Sequence, residues 1–378
     1  MPILPDFRLE TYFSKWEFSA RYHMTASDVQ SMTLKDLLAL ADDEDREAFE
    51  GAWLGYTETF GAPDLRDVIA STYDGVMASE ILCFAGAEEG LYIAMHALLD
   101  RGDHAVVITP NYQSAETVPL SICEVTGVPL DPERSWSLDI DQVAAALRQN
   151  TRVISINFPH NPTGKILERD RFDALVDLCR SRGIWLFSDE VYRGVGVTGT
   201  PQLPQVADVY ERGLSLAVMS KAYGLPGLRI GWIACRNHAL LMRMERMKHY
   251  LSICNAAPSE RLAKIALKVR VQILARIGAL MTRNLAMLDA FFADHRDLFE
   301  WYRPDGGCVA YPRFRGPEGV ERFATDLVER TGVLFLPASV YSSALNPTPG
   351  DRFRVGYGRA GMEEGLGVLR TYLLKRAE

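Results

Sequence analysis

The chain has 378 residues, 48% of them hydrophobic and 24% charged, which is length for two domains and an ordinary water-soluble composition. Its net charge of −8 argues against a nucleic-acid binder, which carries a basic excess, and no apolar run approaches the roughly 18 residues of a membrane helix. The six cysteines (Cys83, Cys123, Cys179, Cys235, Cys254, Cys308) are scattered without a Cys-x-x-Cys pair, so neither a metal site nor a disulfide framework is expected, and reduced thiols of a cytoplasmic protein are.

Asp6, Arg8 and Glu10 interrupt the first apolar residues, so no signal-peptide core is read there. Leu9, Tyr12, Phe13 and Trp16 recur at helical spacing and predict a helix over Phe7 to Phe18. Thr33 to Leu40 reads as a short helix, and the acidic run Asp42 to Glu47 as a solvated helix face. Leu54 to Arg66 carries two glycines and a proline and reads as a loop holding Tyr56, followed by a helix over Asp64 to Asp74.

From residue 80 onward strands and helices alternate. Glu80 to Ala85 is a strand, and Gly86-Ala87-Glu88-Glu89-Gly90 opens the apolar helix Leu91 to Leu99. Such a turn aims backbone N–H groups at a phosphate, though it is common in α/β proteins. Ala105 to Ile108 is a second strand, ending at Pro110-Asn111-Tyr112, where Tyr112 could stack on a flat ring or simply pack. Val153 to Phe158 leads into the turn Pro159-His160-Asn161-Pro162-Thr163-Gly164. Asn161 is the side chain there suited to a ring substituent, and His160 reads as local packing. Gly183 to Ser188 leads into Asp189-Glu190-Val191-Tyr192, a carboxylate where open parallel sheets place their ligand contacts.

The next strand, Leu214 to Met219, ends at Ser220-Lys221, and across two glycines and a proline Arg229 opens a further strand, Arg229 to Ala234. An ammonium at the end of a buried strand is costly unless it is neutral or bound as an imine. A lysine that forms imines, with a hydroxyl and an arginine able to hold a phosphate, suits pyridoxal 5'-phosphate. Leu240 to Leu251 and Glu260 to Phe292 then read as helices. Gly307 to Tyr311, Val333 to Leu336 and Phe353 to Gly356 read as strands, and Val320 to Arg330 as a helix, forming an α+β lobe that carries Arg354.

Taken in order, the Tyr56 loop, the glycine turn, Tyr112, Asn161-Pro162-Thr163-Gly164, Asp189-Glu190-Val191-Tyr192, Ser220-Lys221, Arg229 and Arg354 resemble the class I/II aminotransferases, over nearly the whole chain. The resemblance implies an α/β protein of pyridoxal-phosphate fold type I, like aspartate aminotransferase. A large domain (47–265) would hold a mostly parallel seven-stranded sheet, beside a smaller α+β domain (266–378) joined by the N-terminal segment (1–46). It implies Lys221 as the Schiff-base lysine, Asp189 on the pyridine nitrogen, and Asn161 and Tyr192 on the ring oxygen. Tyr112 would lie on the ring face. Ser220, Arg229 and the amides of Ala87 and Glu88 would hold the phosphate, with Tyr56 reaching that of a neighbouring subunit in a homodimer. Arg354 would clamp the substrate α-carboxylate. Many relatives carry a hydroxyl residue three positions before the lysine; here it is Val218, so one phosphate contact is missing or replaced.

The finer pattern, in Asn157 to Pro162, Ser220 to Gly227 and Arg303 to Arg313, is similar to the capreomycidine synthase branch, which works by elimination and ring closure on a hydroxylated arginine. Ser14-Lys15-Trp16-Glu17-Phe18 resembles the opening of pyridoxal-phosphate arginine oxidases, where a glutamate meets the guanidinium. Their Asp-Gly-His triplet is replaced by Ser27-Asp28-Val29-Gln30-Ser31, which disfavours arginine oxidation. Substrates are therefore expected to be an amino acid and a 2-oxo acid, with Glu17 selecting a guanidino side chain. Lyase-cyclase chemistry and a generic aminotransferase stay open. A regulator with an aminotransferase-like domain is disfavoured, because the core begins almost at once and leaves no room for a winged helix.

Overall fold

The structure is a computed structural model, and residues 4–196 and 202–377 are described. Seven strands form its main sheet: β1 (Ile81–Phe84), β2 (His104–Thr109), β3 (Glu124–Pro129), β4 (Thr151–Asn157), β5 (Trp185–Asp189), β6 (Gly213–Val218) and β7 (Gly231–Ala234). Their order is β1-β7-β6-β5-β4-β2-β3. Only β7 runs antiparallel to its neighbours, β1 and β6; the other pairings are parallel. Helices on both faces explain why β1 and β2 are buried at every position and read as continuous apolar runs rather than alternating ones. Chain order reverses between β4 and β2, and the crevice beyond the carboxyl ends of the strands at such a point is where open α/β sheets take ligands.

Several boundaries differ from the sequence reading; the strand expected over Val333 to Leu336 is two, Val333–Leu334 and Leu336–Pro337, which pair in different sheets. The segment expected to be one helix over Glu260 to Phe292 is two, Ala257–Lys268 and Arg270–Asp294, broken at Val269 with φ −99° and ψ 17°. Apolar spacing through Ile265, Val269 and Ile273 continues across the break, so periodicity could not reveal it. β3 carries Gly127 and Pro129 and was not anticipated. It is an edge strand paired only with β2, where those residues are tolerated. The acidic run is also more than a solvated face. Within the helix Asp43–Glu50, Asp45 is buried and pairs with Lys264 at 3.2 Å and with Lys268.

A smaller antiparallel sheet joins Val309–Ala310, Phe353–Gly356 and Leu336–Pro337, with Phe353–Gly356 in the middle. The N-terminal segment is stitched to it. Tyr22–His23 pairs parallel with Val333–Leu334, and the Gly356 amide donates to the Met24 carbonyl at 2.9 Å. The first helix, Arg8–Trp16, is tied at its start to the loop after β2, because Gln113 accepts from the Arg8 amide at 2.9 Å and donates to the Asp6 carbonyl at 2.8 Å. Tyr12 donates to the Phe335 carbonyl at 3.2 Å. These bonds lay the helix across the carboxyl ends of the central strands.

Candidate active site

The ends of β4, β5 and β6 and the covering N-terminal helix enclose a cavity of about 370 Å³. Register sets its floor: Asn157 at the end of β4 lies opposite Asp189 at the end of β5. The Asn157 side chain donates to the Asp189 carbonyl at 2.9 Å and accepts from the Asn161 amide at 2.9 Å, fixing the turn after β4 against β5. Asp189 faces the cavity while its neighbours Ser188 and Glu190 face the opposite side, as strand alternation requires. There they line a larger cavity of about 510 Å³ that contains none of the predicted site residues.

Lys221 follows β6. Its Nζ donates to the Ser27 hydroxyl at 3.0 Å. Burial lowers its basicity, and Arg354 adds to the effect against the opposing pull of Asp28 and Asp189. The Ser27 hydroxyl also meets the buried Tyr192 hydroxyl, so one N-terminal serine joins the lysine and the tyrosine. Burial pushes the Asp189 carboxyl up to about 6, against the Val191 amide and Lys221, which favour its charged form. Tyr112 lines the cavity with its ring 5.2 Å from that of Phe7.

At the other wall the helix Ala87–Leu98 begins at Gly86, which has φ +101° and no side chain to cap the first-turn amides. A Cβ at Gly86 would meet the Arg229 guanidinium at 2.3 Å, so only glycine lets that cation approach the helix start. Arg229 donates to the Ser220 hydroxyl at 3.3 Å and to the Ala85 carbonyl at 3.4 Å. Free amides at the positive end of a helix, a hydroxyl and a guanidinium make an anion cradle. Cradle, lysine, buried carboxylate and flat aromatic wall together fit pyridoxal 5'-phosphate. Val218 lines the wall with no hydroxyl to offer.

Lys221, Asp189, Tyr192, Ala87, Glu88, Tyr112, Asn161, Ser220, Arg229 and Glu17 thus share one cavity. Two predicted residues do not line it. Arg354 is fully buried behind Asn161; it donates to the Thr25 carbonyl at 2.7 and 3.0 Å, to Asn161 Oδ1 at 3.2 Å and to the Tyr341 hydroxyl at 2.6 Å. Tyr56 is 84% exposed in this single chain. His160 is held by Thr163 and the Pro110 carbonyl, each at 2.8 Å, and stays out of the cavity.

Residues 9–28 and Arg359 close the outer end of the cavity with residues the sequence reading passed over, Glu10, His23, Asp28 and Arg359, while Ser27 reaches inward to Lys221. Arg359 donates to Asp28 at 2.7 Å. Glu10 and Glu17 lie two turns apart, with Phe13 between them on the same helix face, a spacing that was there to be found. Asp28 and Arg359 are 331 residues apart, and no local pattern announces their meeting. Glu17 is held above the usual carboxylate range, first by burial and then by Glu10, with Asp28 adding to it and Arg359 and Lys221 opposing.

Residues 24–368 match the family model described as aminotransferase class I and II. The chain is 29% identical to the capreomycidine synthase of Streptomyces vinaceus, over 98% of this chain and 94% of that one. It is 30% identical to the arginine–pyruvate transaminase of Pseudomonas aeruginosa, over 80% of this chain and 77% of that one. The solved structure of the PLP-dependent cyclase OrfR superposes with a TM-score of 0.89 at 26% identity, covering 100% of this chain and 99% of that one. With its aspartate-aminotransferase-like sheet and its cofactor pocket, the chain belongs to the class I and II aminotransferases, the pyridoxal-phosphate-dependent transferases of fold type I.

Proposed function

We propose that this protein is an aminotransferase for an L-amino acid and 2-oxo acid pair whose amino acid carries a guanidino side chain, in specialised metabolism. The observation that supports it most is the charge at the outer end of the cavity, where Glu10, Glu17 and Asp28 line the wall with one arginine, Arg359, which is paired to Asp28 at 2.7 Å. Three carboxylates against one guanidinium leave an acidic excess for a cationic side chain, and a guanidinium suits it best because a carboxylate grips it by two parallel hydrogen bonds. The likeness to a capreomycidine synthase and an arginine–pyruvate transaminase points the same way.

Bound in this cavity, pyridoxal 5'-phosphate supplies a carbonyl for the substrate's amino group and an electron sink for its α-carbon. Ala87 and Glu88 amides, Ser220 and Arg229 would hold the phosphate. Asp189, the carboxylate at the cavity floor, would keep the ring nitrogen protonated. Asn161 and Tyr192 would hydrogen-bond the ring oxygen, and Tyr112 would pack on the ring face. Lys221, less basic than a free lysine and steadied by Ser27, would take and return a proton at the α-carbon. Arg354 would hold the α-carboxylate from behind Asn161, sharing donors now given to Asn161 and Tyr341.

We assign residues 1–46 to the small domain with 266–378, and 47–265 to the large one; the pairing of Tyr22–His23 with Val333–Leu334 supports this. We also assign a homodimer, with Tyr56 donated across the interface. The exposed apolar side chains Trp53, Leu54, Tyr56, Tyr250 and Leu251 support it. Mixed Tyr56→Phe and Lys221→Ala chains should regain partial activity, since one of the two sites in each hybrid carries neither defect. No recovery after confirmed exchange would remove the shared site.

Elimination with ring closure is the second reading, favoured by the capreomycidine synthase and OrfR likenesses. Incubation with arginine, hydroxyarginine and enduracididine, with and without a 2-oxo acid, separates the two by mass. A 2-oxo product that depends on the acceptor supports transamination. A dehydrated cyclic product formed without an acceptor supports the alternative. The same panel, with neutral amino acids turned over as well as the guanidino ones, would leave a general aminotransferase.

A further inference from the structure

We propose that His23 is a specificity residue of the substrate pocket, a neutral imidazole that accepts one N–H of the substrate's guanidinium. This rests on the guanidino reading above. His23 lies in the two-residue strand paired with Val333–Leu334, so its backbone is fixed, and its ring packs against Phe13 at 5.4 Å between centroids. It lines the same cavity as Glu17, Asp28 and Lys221. Both ring nitrogens are shielded from solvent, and among the described residues neither has a hydrogen-bond partner in another residue; the only polar group the ring meets is the backbone of His23 itself. Buried polar groups are almost always partnered, and an unpartnered one at a pocket wall marks a place for a polar group of a ligand.

The charge state is set by the surroundings. Burial is the largest influence, pushing the ring down to about 4; Arg359 and Arg354 add to it, while the residue's own backbone and Asp28 oppose it. The ring is therefore neutral near pH 7 and presents one acceptor and one donor. A guanidinium carries five N–H groups, and a single carboxylate takes two of them in a forked pair. The remaining N–H groups need acceptors, which Arg359, Arg354 and a protonated Lys221 cannot be. His23 offers one beside Glu17. An aliphatic side chain would leave both nitrogens without a partner, so the same residue that welcomes a guanidinium disfavours a hydrocarbon.

The test compares kcat/KM for arginine and for norvaline, which is arginine without its guanidino group, in the cofactor-loaded, full-length enzyme. His23→Phe keeps a ring against Phe13 and removes the acceptor. It should lower the arginine-to-norvaline ratio by about tenfold or more, the effect of one hydrogen bond to a charged group. His23→Gln, which keeps an acceptor, should lower it less. A merely structural role would lower both substrates in parallel and leave the ratio fixed, and that result would overturn the proposal. Should His23→Phe fail to load cofactor, His23→Leu is read by the same ratio. A wild-type enzyme with no preference for arginine would overturn the guanidino reading and this proposal with it. A wild-type preference that survives in His23→Phe or His23→Leu would overturn the role of His23 alone.

Discussion

At its inner end the pocket is made from the last residues of adjacent strands, whereas its outer end is closed by two segments from opposite parts of the chain, residues 9–28 and Arg359. The inner end is fixed by sheet register. Asn157 faces Asp189 because β4 and β5 pair, and Lys221 comes three residues after the end of β6. The outer end is fixed by a few long-range hydrogen bonds, among them Gln113 to Asp6 and Arg8, Tyr12 to Phe335, and Arg359 to Asp28. Sheet register tolerates almost no drift, since a one-residue slip turns every side chain to the other face. A helix held by a handful of bonds can carry new side chains without disturbing the sheet. On the function proposed above, chemistry common to a family would sit on the rigid part and substrate choice on the adaptable one.

The largest expected effect breaks the inner end. Lys221→Ala should lower turnover by at least about 10²–10⁴-fold, the span typical of a lost acid–base group, while the anion cradle still binds cofactor. Borohydride should fix the cofactor on Lys221 in the wild type, and peptide mapping that finds it on another lysine would refute the assignment. Next comes Arg354→Lys, which loses the planar fork and leaves Thr25, Asn161 and Tyr341 short of donors. A cost of about 2–5 kcal/mol in kcat/KM is expected, equal for guanidino and neutral amino acids because both carry the same α-carboxylate. A loss confined to guanidino substrates would move Arg354 from the inner end of the comparison to the outer.

The smallest effect is a drift with pH. A Glu17 carboxyl held above its ordinary value becomes charged only above that raised value. The preference for arginine over norvaline should therefore fall as pH drops through it, and be full above it. In Glu17→Gln this part of the pH dependence should vanish. A ratio in Glu17→Gln that still follows the wild-type pH curve would remove Glu17 as the source of the dependence.

The same contrast explains what could be read from the chain. Six of the seven sheet strands announced themselves as apolar runs between turn residues, and Lys221, Asp189 and Asn161 stood out because each sits where such a run stops. Glu17 was reached through the likeness of Ser14-Lys15-Trp16-Glu17-Phe18 to the opening of arginine oxidases, while the helical face it shares with Phe13 and Glu10 went unread. β3 was hidden by its glycine and proline, which an edge position permits, and the break at Val269 by apolar spacing that runs straight through it. Ser27, Asp28 and Arg359 were not legible. Ser27 acquires meaning only from Lys221, 194 residues away, and Asp28 only from Arg359. Arg354 was expected as a carboxylate clamp, and sequence could not show that it is buried with Thr25, Asn161 and Tyr341 already taking its donors.

The account's central claim is that the carboxylates at the outer end choose the substrate. The measurement that meets it most directly is the ratio of kcat/KM for arginine to that for norvaline, taken near pH 8 in the wild type and in Glu17→Gln. The account predicts a wild-type ratio well above one and a fall of about 2 kcal/mol, or roughly thirtyfold, in the variant, carried almost wholly by arginine. A wild-type ratio near one, or a variant that loses both substrates equally, would contradict it.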